Sequence, residues 1–401
     1  MSQFLLLVIV TWFESEASVG RYGMALAVSA PAFMFISLQL RTLLAADTSG
    51  DFEFSDYLAV RLIGTPIVFA AVIATAAFTM PGELVLVLAV CVSKVVESVS
   101  DVCYGLFWRE MQMGLVARSM ALRAVVGSAM FLGAVAAGGG VAGGVAGLSV
   151  GWAIVLLTHD APAAAALAPG GFGMASLSGR PLLRLIGLGL PAGLLSWLTS
   201  MQTSVPRLFV ESNLGYEAVG VLTCLTYALV GIEVVARAAN HAAIPKMARD
   251  VDAGERGQLI WLAARLSLLG VVAGLSIASA AAIAGGPLLA LLFGPGMREH
   301  HGLLTALTLF AAARMAVMPL AMTARASRDY PRLCAVQSAS LAAITIGCAI
   351  LVPRFGLHGC VGALLAGLAI ESVGRGFLFQ RLLRRIDADS VNRECERRLA
   401  A

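Results

Sequence analysis

Lys94, Glu97 and Asp101 stand at i, i+3 and i+7 inside an apolar run, residues 84–108, "LVLVLAVCVSKVVESVSDVCYGLFW". At about 100° per residue the three fall within about 60° of one another on a helix and form one polar stripe. Lys94 and Glu97 are spaced to pair. Glu97 and Asp101 are like charges one turn apart, unfavourable unless a cation lies close by. The theme recurs. Glu233, Arg237 and His241 lie at i, i+4 and i+8 with Asn240 on the same side, and Glu371 and Arg375 lie at i and i+4. Arg314 stands in another apolar run, Arg207 follows Gln202, Thr203 and Ser204, and Gln39 and Arg41 close a further one. A charge at the centre of a membrane span costs roughly 2.5–3.5 kcal/mol on insertion scales and persists where it meets a partner or a water-filled cavity. These residues therefore either fix helix packing through ion pairs or line a polar cavity. Lys94 lies 15 residues before Arg109 and Arg314 lies 14 before Arg328, which puts one cation at nearly the same depth in each half of the chain and favours the cavity.

No other chemistry is apparent. Of seven cysteines, six (Cys91, Cys103, Cys224, Cys334, Cys348 and Cys360) sit in or beside apolar runs and Cys395 lies in the tail, without CxxC or Cys/His spacing. They read as small apolar residues rather than metal ligands. His159–Asp160 reads as a solvated loop pair. There is no nucleotide-binding motif, paired-carboxylate site or nucleophile constellation, so neither an enzyme nor a cofactor or metal is expected. Net charge is +4, and no basic patch interleaves with aromatics as in a nucleic-acid interface.

The elements that must carry these residues are membrane helices. The chain is 59% hydrophobic and 13% charged, against about 25% charged residues in soluble domains. The alternating ten-residue segments of a β-barrel are missing. An all-α polytopic membrane protein of about 12 transmembrane helices is expected, at 2–13, 18–44, 58–80, 84–108, 118–137, 141–159, 183–209, 216–240, 258–284, 301–323, 332–352 and 358–383. Prolines 31, 66, 191, 206 and 319 fall inside spans and can kink them. Loop arginines and lysines alternate. One side has Arg109, Arg118, Arg180, Arg184, Lys246, Arg249, Arg256, Arg325, Arg328, Arg332, Arg381, Arg384 and Arg385, and the other little beyond Arg21, Arg298 and Arg354. The positive-inside rule puts the first set and both termini in the cytoplasm. Arg41, Arg109, Arg118 and Arg123 read as surface residues contacting phosphate headgroups.

The halves repeat. "YLAVRL" at 57–62 matches "WLAARL" at 261–266, and "SVG" at 18–20 matches "AVG" at 218–220, both near an offset of 200. This predicts two six-helix lobes related by a parallel repeat. The N-terminal lobe is expected at 1–160, a cytoplasmic linker at 161–182, the C-terminal lobe at 183–385 and a cytoplasmic tail at 386–401. By the same register the first helix is truncated, by about 20 residues.

Two segments carry a resemblance. "SLQLRTLLAADTSGDFEFSDYLAVRL" (37–62) and "ARAANHAAIPKMARDVDAGE" (236–255) resemble the matching elements of bacterial polysaccharide biosynthesis (oligosaccharide) flippases, of the multidrug/oligosaccharidyl-lipid/polysaccharide exporter superfamily. The resemblance implies two lobes around a central cationic cavity. It further implies transfer of an undecaprenyl-diphosphate-linked oligosaccharide across the inner membrane by alternating access, with membrane lipid, a polysaccharide polymerase and chain-length machinery as partners. Arginine suits phosphate because its fork donates bidentately. Lys94, Arg314, Arg237 and Arg375, then Arg41 and Arg207, are the candidate cations. Glu97, Asp101, Glu233, Glu371 and His241 are candidates for charge pairing or for proton or ion coupling. The rivals are a multidrug or metabolite exporter of the same superfamily, which would favour an acidic, aromatic-lined cavity, and a membrane-embedded glycosyltransferase or polymerase, which would need a sizeable extracytoplasmic loop.

Overall fold

The computed structural model describes residues 2–47, 50–168, 179–326 and 329–400, with the side chains at 2–5, 179, 230–239, 241, 252, 324–326 and 389–400 outside that description. Among the described residues the chain has no strand. Its helices are α1 (Ser2–Phe13), α2 (Glu16–Ile36), α3 (Leu40–Ala46), α4 (Phe54–Thr79), α5 (Leu84–Arg109), α6 (Met113–Ala134), α7 (Gly140–Val155), α8 (Ala161–Leu167), α9 (Gly179–Ala253), α10 (Arg256–Phe293), α11 (His301–Ala326) and α12 (Tyr330–Ala400).

Seven stretches are long and apolar enough to cross a membrane by length and composition. Three of them, Met113–Leu167, Arg180–Leu229 and Tyr330–Ala388, are each long enough to cross twice and are broken once, at Gly138, Gly215 and Gly356. Each of these glycines has a positive φ (84°, 81° and 58°), a conformation that costs glycine nothing and other residues roughly 1–2 kcal/mol. With α5, whose charges lower its hydropathy, and the short α1, the described residues form twelve membrane-helix segments, close to the expected bounds. The chain is an all-α, multi-pass membrane protein.

Local chemistry sets the ends. Ser15 caps α2 by accepting from the Ser18 N–H at 3.3 Å. Glu53 and Asp56 form a reciprocal capping box at the start of α4. Ahead of it the Asp47 carboxylate accepts from the N–H groups of Gly50, Asp51 and Phe52 and from the Tyr57 hydroxyl, which folds the connection onto α4.

One span departs from the sequence reading. The expected continuous helix 18–44 breaks at Ser37–Gln39, because Leu38 and Gln39 adopt left-handed backbone, φ 46° and 51°. The short α3 follows and packs on α5, where a Cβ on Gly105 would lie 3.0 Å from the Arg41 backbone.

The chain divides into two compact units, Met1–Thr223 and Cys224–Ala401, with the boundary inside α9. The first has a core built from α3, α4 and α5 around Leu40, Leu44, Tyr57, Cys103, Leu106 and Phe107. In the same unit the glycines of the two matched motifs, Gly20 and Gly220, meet face to face. A Cβ on Gly20 would fall 1.8 Å from the Tyr216 carbonyl oxygen, and one on Gly220 would fall 2.1 Å from that of Glu16. Only glycine permits that approach, the small-residue packing that membrane helices use in place of a hydrophobic driving force. The second unit closes one end with Met247, Leu259, Met318, Met322, Leu382, Leu383 and Ile386, tied by Arg256 to Asp387 at 2.6 Å.

Candidate functional site

α5 presents its stripe as the spacing requires. Lys94 Nζ donates to Glu97 Oε2 at 2.7 Å. One turn on, Asp101 is held by two guanidinium groups, Arg41 Nη1 at 3.1 Å and Arg61 Nη2 at 3.6 Å. These cations supply what the neighbouring carboxylates Glu97 and Asp101 need to coexist. Arg41 reaches Asp101 because α3 folds back against α5, and its guanidinium also stacks over Trp108 at 4.8 Å.

Arg61 was not singled out by its residue type or spacing. It is 1% exposed and sits behind the break in α2. Its Nη1 donates to the Ile36 carbonyl and its Nη2 to the Ser37 carbonyl, each at 3.3 Å. The Ile36 carbonyl is one that the helix leaves unpaired at its end, while the Ser37 carbonyl also accepts from the Leu40 N–H at 2.9 Å. One side chain therefore caps α2 and neutralises Asp101, while Nε has no hydrogen-bond partner. The signal was present, since Arg61 is the arginine of "YLAVRL" and Arg265 is its match in "WLAARL". Arg265 lies exposed over Trp261 at 5.1 Å, so the matched arginines have different surroundings.

Two sequence expectations are corrected. Arg123, read as a surface residue, is buried between α5, α6 and α7: it stacks over Trp152 at 4.5 Å and donates to the Tyr104 hydroxyl at 3.4 Å, with Nε and Nη2 unpartnered. His159–Asp160 is not a solvated loop pair. Helix α7 continues through a π-helical turn, Leu156–Asp160, into α8, whose Ala164 enters the core, and this buries Asp160 fully with Oδ1 3.0 Å from His159 Nδ1.

Arg207 is buried in α9. In the second unit Glu371 and Arg375 form an ion pair within α12, with Glu371 buried, and Arg314 lies half-buried in α11, 6.0 Å from the Phe310 ring centroid. The side chains of Glu233, Arg237 and His241 lie outside the described residues. No group of three or more metal-ligating side chains occurs among the described residues.

The first unit thus gathers four cations, Lys94, Arg41, Arg61 and Arg123, around two carboxylates, Glu97 and Asp101; Arg41 and Arg123 are within electrostatic reach of both. These six groups carry two positive charges in excess, or one when the buried Asp160, which acts on Cys103 alongside Arg123 and Asp101, is counted with them. The cluster can attract an anion to membrane depth, and low polarity around it strengthens that attraction.

An inward-facing structure of a multidrug resistance MATE family transporter of the MOP superfamily superposes with a TM-score of 0.79 over 96% of this chain and 95% of that one, at 12% identity. The chain shares the fold of that transporter. The lipid II flippase MurJ, in an inward closed conformation, shares that fold with a TM-score of 0.71 over 97% of this chain and 88% of its own, at 11% identity. In sequence the chain is a distant homologue of the capsular polysaccharide biosynthesis protein CapF of Staphylococcus aureus, 21% identical over 95% of this chain and 96% of that protein. No protein-family model matches the chain. The shared fold accounts for the multi-pass helical architecture.

Proposed function

We propose that the chain is a flippase that moves an undecaprenyl-diphosphate-linked oligosaccharide across the bacterial inner membrane by alternating access, for the synthesis of O-antigen, capsule or exopolysaccharide. The observation that carries this reading is the excess of cations over carboxylates around α5. A diphosphate needs cations where the membrane offers none, and a lysine or guanidinium already held by carboxylates is preorganised for it. The relationship to a capsular polysaccharide biosynthesis protein over nearly the whole chain supports the same class of substrate. In this reading two six-helix lobes, 1–160 and 183–385, flank the linker 161–182, and both termini are cytoplasmic. Lys94, Arg314, Arg237 and Arg375 contact the diphosphate, with Arg41 and Arg207 behind them. Glu97, Asp101, Glu233, Glu371 and His241 hold those cations or carry the coupling ion. The product would pass to a polymerase and its chain-length machinery.

An exporter of organic cations needs the opposite balance, acidic groups beside aromatic walls, so the cluster weighs against the drug-exporter reading despite the shared fold. Substitution tests the proposal. Lys94→Ala and Arg314→Ala should each abolish surface polysaccharide in cells while the protein remains in the membrane at normal abundance. Normal polysaccharide in both variants would overturn the assignment of these cations to the substrate.

A further inference from the structure

A groove of about 250 Å³ opens between α4 and α5, lined by Leu62, Thr65, Pro66 and Phe69 on one helix and Val95 and Val99 on the other. Its one polar wall residue is committed elsewhere, because the Thr65 hydroxyl donates to the Arg61 carbonyl of its own helix at 2.6 Å. The other lining side chains are apolar, and a wall of this kind takes hydrocarbon. Pro66 stands in the groove wall, where its ring removes one backbone bond of α4.

The groove adjoins the charged cluster. α4 and α5 run antiparallel, and the Arg61–Asp101 bridge at 3.6 Å spans them. In the same register Leu62 comes beside Val99 and Pro66 beside Val95, so the groove begins where the bridge ends. From Leu62 to Phe69 it runs roughly 10 Å along the helix. At one end stand Arg41, Arg61 and Asp101, with net positive charge, and the rest is apolar. An amphiphile with an anionic head and a hydrocarbon chain matches both ends at once. A cavity of 150 Å³ takes benzene, so this one holds roughly ten carbons, about two isoprene units.

We propose that this groove binds the first isoprene units of the polyprenyl carrier on loading, with the carrier's diphosphate first met by Arg41 beside the Arg61–Asp101 bridge, before it reaches Lys94 deeper along α5. The inference rests on the flippase reading and adds to it the place where the lipid chain leaves the polar site for the bilayer.

The test uses the full-length protein in lipid nanodiscs and two photoreactive probes. One is a polyprenyl diphosphate with a diazirine near its head, and the other is phosphatidylglycerol with the diazirine at matching depth. The polyprenyl diphosphate should cross-link to residues 62–69 and 95–99, and unlabelled polyprenyl diphosphate should compete it away. Val99→Trp should lower that labelling at least five-fold. Leu62→Trp, on the exposed wall, should do the same and guards against misfolding of the first variant. Equal labelling of these residues by phosphatidylglycerol without competition would mean a surface for bulk lipid and overturn the proposal. Competed labelling at other segments would also overturn it while leaving the flippase reading intact. An absence of competed labelling anywhere in the chain would overturn both.

Discussion

Asp101 holds Arg41 at 3.1 Å and Arg61 at 3.6 Å, and Arg61 has no route to solvent. Removing the carboxylate charge leaves a guanidinium buried against two carbonyls and nothing anionic. Breaking a fully buried pair costs about 3–5 kcal/mol, and the partial exposure of Asp101 brings Asp101→Asn down to about 2 kcal/mol. Arg61→Leu alone should also destabilise, by freeing the carbonyl of Ile36, whereas that of Ser37 keeps the Leu40 N–H. The double variant should lose clearly less than the sum of the singles, because the orphaned charge is gone. Thermal unfolding of the four proteins in one detergent gives the cycle, and strict additivity would show that the two side chains do not interact. The stripe Lys94, Glu97 and Asp101 was legible in the sequence because helical spacing alone fixes it. Arg61 was not, because near the start of an apolar helix an arginine reads as a marker of topology. Its role depends on a break 22 residues upstream in another helix. Arg123 was hidden for a related reason: its burial comes from Trp152 and Tyr104, on two other helices.

Helices α2 and α9 meet through Gly20 and Gly220 so closely that a methyl group on either would overlap a carbonyl oxygen of the other helix. Gly20→Leu or Gly220→Leu must push the pair apart, which forfeits contact along both helices. Each should cost at least about 2 kcal/mol and lower the yield of folded protein seen by fluorescence-detected size exclusion. Gly187 in α9 has open space around its Cβ position and serves as the contrast. Gly187→Ala should be neutral or stabilise by up to about 1 kcal/mol through helix propensity. Loss of stability in Gly187→Ala equal to that in Gly20→Leu would mean that helix glycines are sensitive wherever they lie. At this scale the sequence was informative about the elements. Twelve apolar runs predict helices close to those observed. The break at Ser37–Gln39 was not legible, because neither Pro nor Gly marks it. What stabilises it lies elsewhere: Arg61 on the carbonyls of Ile36 and Ser37, and Gln39 Nε2 donating to Ser196 of α9 at 2.9 Å.

Depth along α5 connects the cluster to the whole molecule. Asp101 lies eight residues from Arg109 and Lys94 lies fifteen, so on a helix they stand roughly 12 Å and roughly 22 Å from that end. With a hydrocarbon core of about 30 Å, Asp101 and its arginines belong to the leaflet at the Arg109 end, and Lys94 lies near or just beyond the midplane. The cations form a ladder from one face to the middle. That arrangement serves a flippase only if the Arg109 end faces the cytoplasm, where a diphosphate-linked oligosaccharide would be loaded. The arginine-rich loops predict that orientation. Single cysteines in a cysteine-free, full-length background can check it with a membrane-impermeant maleimide. Gly82→Cys and Gly296→Cys should label in intact cells. Gln112→Cys and Ala253→Cys, at the turns after α5 and α9, should label only after permeabilisation. The reverse pattern would put the Arg41–Asp101–Arg61 cluster in the outer leaflet, as a release site without a loading site. Outward transfer of a cytoplasmic lipid-linked sugar would then have to begin at cations other than these.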